Sequence, residues 1–178
     1  MSLPVLVWVL DHSEATLGGR LVLLVLAEHA HDNGRESYDE ARVLDAGSAP
    51  VAVQAGSLRV GLSVCYDLRF PELYRQLCTP PCDLLSVPAA FTYTTGRAHW
   101  ELLLRARAVE NQCYVIAPAQ GGIHENGRRT WGHSMVVDPW GVVLAQQGDG
   151  PGVVMADLDP ARQAQVRMQL PALEHRVL

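Results

Sequence analysis

A chain of 178 residues that is 48% hydrophobic and 19% charged has the length and apolar content of one globular domain with a sizeable core. The formal charge of −5, the pI near 5.7 and the lack of any Lys/Arg run exclude the clustered basic face that nucleic acid requires. The apolar run Leu21 to Ala27 is too short to cross a bilayer, and the run Leu3 to Leu10 lacks the basic residues of a signal peptide, so no membrane partner is expected.

In chain order, the polar segment His29 to Pro50 reads as a long loop with Asn33-Gly34 and Gly47-Ser48 as turn signals. From Leu58 the residues alternate: Leu58, Val60, Leu62 and Val64 on one face, Gly61, Ser63 and Cys65 on the other. That is the period of a strand, and it puts Cys65 at the strand's end. Phe70-Pro71-Glu72-Leu73 then opens a short helix, with Pro71 in the first turn where its missing N–H costs nothing. Asp83 to Pro88 predicts a strand, Arg97 to Gln112 a helix with Trp100, Leu103, Leu104 and Ala108 at helical spacing, and Cys113 to Pro118 another strand. Alternating strands and helices predict an α/β layered architecture. Ser134 to Val137 and Val142 to Ala145 read as a hairpin around Asp138-Pro139-Trp140-Gly141. Val153 to Leu158 adds a strand, and Asp159 as N-cap with Pro160 behind it starts a last helix that Pro171 ends.

The chemistry concentrates at Cys65. A bare strand-end cysteine is usually a small buried hydrophobe. The other cysteines, Cys78, Cys82 and Cys113, form no disulfide-framework spacing with it, which suits a reducing cytoplasm. The segment VGLSVCYDLRFPEL, Val60 to Leu73, changes the weighting, because it resembles the nucleophile motif of the nitrilase superfamily of carbon–nitrogen hydrolases. The resemblance continues through FTYTTGRAHWELLLRARAVENQCYVIAPAQ, Phe91 to Gln120, and WGHSMVVDPWGVVLA, Trp131 to Ala145. These stretches are closest to the Nit branch of amidases, whose members are ω-amidase-like or act on deaminated glutathione. Arg97 stands where that branch usually has proline.

The resemblance implies Cys65 as nucleophile, with the backbone N–H of Tyr66 facing the oxyanion. It also implies a supporting glutamate, best placed at Glu40 from the match of YDEARVLDAG, Tyr38 to Gly47, with Glu36 as the second choice. The family also carries a first glutamate as general base and a lysine that stabilises the tetrahedral intermediate. The lysine position falls near Ala27, yet all fourteen basic residues here are arginine. The family's opening third, with its first glutamate, finds no matching context. The expected division is therefore residues 1–35 as a diverged segment and 36–178 as the C-terminal two-thirds of a hydrolase domain.

Phe91 and Thr95, on the loop after a strand, are expected to border the substrate. His99, at the opening of the next helix, is a third such position, whereas Trp100 reads as core. Asp67 and Arg69 read as a charge pair fixing the turn, and Glu101 and Arg105, four apart, as a helical ion pair.

The expected fold is an α/β nitrilase-like α-β-β-α sandwich, incomplete at its N-terminus and with an exposed apolar edge. The resemblance implies a small carboxamide substrate, no cofactor, no metal and a homodimer paired through its helical layer. Two rival readings stand beside the amidase: a catalytically dead nitrilase-fold module, favoured by the missing lysine, and a metallohydrolase using His29 and His31. The last rests on a lone His-x-His without a downstream acid and histidine cluster.

Overall fold

The computed structural model describes the backbone of Val7–Leu10 and Arg20–Leu24, and in full residues 49–124, 127–148 and 150–177. Chain order runs β1 (Val7–Leu10), β2 (Arg20–Leu24), β3 (Val51–Ala55), β4 (Leu58–Leu62), a 3₁₀ turn (Cys65–Arg69), α1 (Pro71–Leu77), β5 (Leu84–Ser86) and α2 (Tyr93–Asn111). It continues with β6 (Tyr114–Ala117), β7 (Gly121–Ile123), β8 (Arg129–Trp131), β9 (Met135–Val137), β10 (Val143–Gln146), β11 (Met155–Asp157) and α3 (Pro160–Gln169).

Six strands form the main sheet in the order β10-β9-β6-β5-β4-β3, with β4, β5 and β6 parallel and the flanking pairs antiparallel. The parallel centre follows from the alternation expected above, since α1 and α2 are the crossovers between successive strands. A second, antiparallel sheet has the order β1-β2-β11, and β7 pairs with β8 as a separate hairpin.

Side-chain alternation divides the core. On one face of the main sheet Leu85, Val115, Val137 and Met135 pack with Trp100, Leu104 and Ala108 of α2 and Tyr74 and Leu77 of α1. Gly61 lets α1 come close, because a Cβ there would lie 2.8 Å from Leu85 Cδ2 and 3.4 Å from Leu77 Cβ. On the opposite face Val60, Leu84, Tyr114, Ile116 and Val136 meet Leu158, with Ala156 of β11 packed against them. This is where the second sheet touches the first.

Several boundaries differ from the sequence reading. The hairpin β3–β4 begins seven residues earlier, turning through Gly56 at φ 60, a two-residue connection that favours glycine in its first position. The helix α2 starts at Tyr93 rather than Arg97. Consequently Thr95 lies in its first turn instead of on a loop, and His99 does not open it. The β7–β8 hairpin was not expected. By contrast, α3 begins as read, with Asp159 Oδ1 accepting the Ala161 N–H at 2.8 Å and Pro160 first in the helix. The turn after β9 closes on Asp138, whose Oδ1 accepts the N–H groups of Trp140 and Val142 at 2.9 and 2.8 Å.

An apolar strip is left uncovered at the β3 edge. Val51 and Val53 pair across the ladder with Leu62 and Val60, so all four share one face, and Val51, Val53 and Leu62 are exposed, as is Val64 beyond them. No helix among the described residues is long and apolar enough to cross a membrane.

Candidate active site

The ladder of β4 does not stop at Leu62. Ser63 N–H donates to the Ser86 carbonyl at 3.0 Å and Cys65 N–H to the Pro88 carbonyl at 2.8 Å, so Cys65 sits at the carboxyl ends of the parallel strands. That is the end where open α/β sheets place their chemistry. Cys65 then turns sharply, with φ 45, into the left-handed region that β-carbon-bearing residues rarely enter. The thiol is thus lifted off the strand and started into the 3₁₀ turn.

Several contacts fix that turn. Asp67 Oδ2 accepts the Val64 N–H at 2.8 Å. From α2, the buried Arg107 donates from Nη2 to the Leu68 carbonyl at 2.7 Å, pairs with Glu110 at 2.9 Å and lies 5.1 Å from the Tyr74 ring centre. Beneath the turn, Ser63 Oγ joins Tyr74 Oη at 2.8 Å and donates to the Ser86 carbonyl at 2.9 Å. Apart from Arg107 Nε, which has no partner, the buried polar groups of Arg107, Ser63 and Tyr74 are hydrogen-bonded or ion-paired and so hold the turn in place.

Around Cys65 the sequence-derived residues assemble unevenly. Arg69 stacks over Tyr66 and Phe91, 5.5 and 5.1 Å from their ring centres, and its Nη1 is 3.3 Å from His99 Nδ1. Among the described residues no ion pair joins Asp67 to Arg69, so the expected charge pair gives way to two separate tasks: Asp67 holds the backbone and Arg69 spans to α2. Phe91 is buried against Trp100, and its carbonyl accepts the Trp131 N–H at 2.9 Å. Thr95 Oγ1 bonds Thr92 Oγ1 at 2.7 Å. His99 is exposed, while Trp100 is fully buried with Nε1 donating to the His133 carbonyl at 2.8 Å, as a core residue should be. Glu101 and Arg105 form the expected ion pair at 3.4 Å on the surface. Glu40, Ala27, His29 and His31 lie outside the described residues.

The electrostatics of Cys65 are mixed. Burial pushes its thiol above the ordinary value. The hydrogen bond from the Ala90 backbone, the charge of Arg128 and that of Arg69 pull it down, and Asp67 pushes it up. Desolvation dominates, so the thiolate that amide attack requires is a minority species until something further favours it. Arg128 belongs to a hairpin that the sequence reading passed over. Its signal was the paired Gly121-Gly122 and Asn126-Gly127 between β-rich runs, which marks a hairpin.

A cavity of about 430 Å³ is lined by Pro118, Ala119, Gln120, Ser134 and Gln147 among others, and by none of Cys65, Phe91, Thr95 and His99. Of its lining residues, Ala119 bridges Ala89 on the loop that accepts the Cys65 N–H. The described residues contain no group of three metal-ligating side chains able to hold an ion.

A rigid strand-end thiol on an α/β sheet, flanked by backbone donors and arginines, has a family counterpart. The carbon-nitrogen hydrolase family matches residues 16–168, and the chain belongs to that family, within the nitrilase superfamily. A deaminated glutathione amidase of Synechocystis sp. is 51% identical over 146 residues, which is 82% of this chain and 54% of that protein. The NitFhit protein of Caenorhabditis elegans aligns with a TM-score of 0.75 at 40% identity, covering 90% of this chain and 42% of that one. Nit3 of Saccharomyces cerevisiae, a member of branch 10 of the nitrilase superfamily, gives a TM-score of 0.75 at 29% identity, covering 99% and 66%. The chain spans about half the length of the Synechocystis relative.

Proposed function

We propose that this chain is an amidase that cleaves a small carboxamide through an acyl-cysteine at Cys65. The observation that supports it most is the half-buried thiol at φ 45, fixed at the carboxyl end of three parallel strands. In the reaction the Cys65 sulfur, its proton removed, bonds to the amide carbonyl carbon. The carbonyl electrons move to oxygen, which faces the Tyr66 backbone N–H. Collapse breaks the C–N bond, and the nitrogen leaves with that proton as ammonia or an amine. Water then adds to the thioester, releasing the acid and restoring the thiol. Glu40 supports this chemistry, and Phe91, Thr95 and His99 form the substrate side.

Likeness to the Synechocystis deaminated glutathione amidase favours a substrate of that kind. The reading includes a cytoplasmic location, in keeping with four free thiols, and a homodimer paired through its helical layer, where Leu102 and Val109 of α2 are exposed. A second reading is a nitrilase-fold module without catalysis, which the absence of lysine favours.

Incubation with an ω-amide of an α-keto acid separates the two. The amidase releases ammonia and shows a transient acyl mass on Cys65 that Cys65→Ala removes. Protein that is folded, yet gives neither ammonia nor adduct, belongs to the second reading.

A further inference from the structure

Three of the four thiols gather at the opposite end of the parallel strands from Cys65. Cys78 follows α1, Cys82 precedes β5 and Cys113 precedes β6, and all three are buried in one core cluster. The Cys82 sulfur donates to the Leu77 carbonyl at 3.2 Å, and that carbonyl belongs to the peptide unit of Cys78 itself. A trans peptide there holds the Cys82 sulfur within about 6 Å of the Cys78 Cα. A disulfide joins Cα atoms roughly 4.4–6.8 Å apart, the scale of this contact. Hydrogen bonds join Cys78 to Cys82 on one side and to Cys113 on the other. Arg59 of β4 closes the cluster, its Nη1 donating to both the Leu77 carbonyl and the Cys82 sulfur at 2.7 Å.

Of the two contacts of Cys78, that with Cys82 is the one able to close. The connecting residues Thr79, Pro80 and Pro81 are exposed and have room to adjust. Cys113 has none, since its N–H is held by the Ala108 carbonyl at 3.2 Å and Tyr114 at once begins β6, between β5 and β9. Cys78 also keeps 8% of its surface exposed, against 0% for Cys82 and Cys113, so a reagent meets it first.

We propose that Cys78 and Cys82 are a redox-sensitive dithiol: a small disulfide such as oxidised glutathione converts them to a Cys78–Cys82 disulfide that closes the CTPPC loop. Cys78, as thiolate, attacks one sulfur of the reagent and releases one thiol, leaving a mixed disulfide. The Cys82 sulfur then attacks the Cys78 sulfur, and its proton goes to the second thiol as that leaves. The dithiol has lost two electrons and two protons, and the reagent has gained them as two thiols. Arg59 beside Cys82 favours the thiolate form of the attacking sulfur. Burial keeps both thiols protonated at neutral pH, which makes the exchange slow, so its equilibrium is what an experiment reads. The bond forms away from Cys65 and is independent of the proposed amidase activity.

The test equilibrates the folded chain in a series of ratios of reduced to oxidised glutathione, blocks free thiols with iodoacetamide in urea, cuts with trypsin and weighs the peptides by mass spectrometry. Because every basic residue is arginine, cleavage puts Cys65 in Val60–Arg69, Cys78 and Cys82 together in Gln76–Arg97, and Cys113 in Ala108–Arg128. Oxidation should leave Gln76–Arg97 unalkylated and about 2 Da lighter than its dithiol, while Ala108–Arg128 is alkylated. The fold holds the two sulfurs together, so closing half of Gln76–Arg97 should tolerate a reduced-to-oxidised ratio roughly tenfold or more above that for the same peptide free in solution. A Gln76–Arg97 peptide linked to Ala108–Arg128 overturns the proposal. So does one that stays alkylated or carries glutathione at every ratio, or a midpoint equal to that of the free peptide.

Discussion

Cys65 and Pro88 are joined by a 2.8 Å hydrogen bond that extends the β4–β5 ladder to a residue already in the left-handed region. The strand therefore ends by handing a positive-φ residue to the turn, and the strain sits on the proposed nucleophile itself. A side chain in that region costs on the order of 1–2 kcal/mol, and glycine does not incur it. Cys65→Gly should accordingly be more stable to urea than Cys65→Ala by about 1 kcal/mol, with thiol reactivity at this position lost in both. Equal stability of the two variants would show that the turn relaxes when the thiol is removed.

Asp67 does two things at once, and two substitutions separate them. Its carboxylate accepts the Val64 N–H and also places a negative charge near the thiol. Asp67→Asn keeps an acceptor and drops the charge, so the Cys65 alkylation midpoint should fall while stability to urea changes little. Asp67→Ala drops both, and should cost about 1 kcal/mol in addition, the usual loss for an end-capping acceptor. The sign is fixed by electrostatics: removing a like charge favours the thiolate. A rise in the midpoint for Asp67→Asn would contradict the arrangement.

The Cys65 strand and the helix behind it were legible because period-2 alternation from Leu58 and a proline at Pro71 are local signals. The last helix was legible for the same reason, since its cap is two adjacent residues, Asp159 and Pro160. The onset of α2 was not. Tyr93-Thr94-Thr95-Gly96 is a poor helix-forming stretch, and what recruits it is the packing of Trp131 on Gly96, a contact between distant parts of the chain. The strands β7 and β8 span three residues each, too few for alternation to stand out. Asp67 and Arg69 looked like partners because they are neighbours in sequence, but the rings of Tyr66 and Phe91 and the His99 imidazole hold Arg69 elsewhere. How the β7–β8 hairpin docks on α2 is likewise a matter of distant contacts, which no spacing encodes.

Gly96 is the hinge of that docking. A Cβ at this position would stand 2.2 Å from Trp131 Cβ and 2.6 Å from its Cγ, inside any tolerable contact. Alanine is the better helix former by about 1 kcal/mol, yet overpacking of this kind costs roughly 1–3 kcal/mol. Gly96→Ala should therefore destabilise the fold in urea, and by shifting the hairpin it should slow Cys65 alkylation at pH 7. A net stabilisation would mean that Trp131 moves aside freely.

Alkaline pH should weaken the fold through thiols that take no part in amide cleavage. Cys78 hydrogen-bonds with Cys113 and Cys82, and that first contact with burial pushes its thiol from the ordinary value near 9 up to about 12. Cys82 is pushed up as well, chiefly by its bond with Cys78, and it lies buried with Arg59 Nη1 2.7 Å from its sulfur. A raised folded-state value means that the native chain keeps protons which the unfolded chain has released. Stability is therefore intact below about pH 9 and falls as pH rises toward 12, by up to about 1.4 kcal/mol per pH unit for each such thiol. Cys78→Ala removes one titrating group and the contact that raises Cys82, so its stability, although lower at neutral pH, should fall less steeply. Urea denaturation at intervals from about pH 8 to 11 measures both slopes, and parallel lines for wild type and variant would place the alkaline sensitivity elsewhere, with the buried Tyr74 phenol next in order.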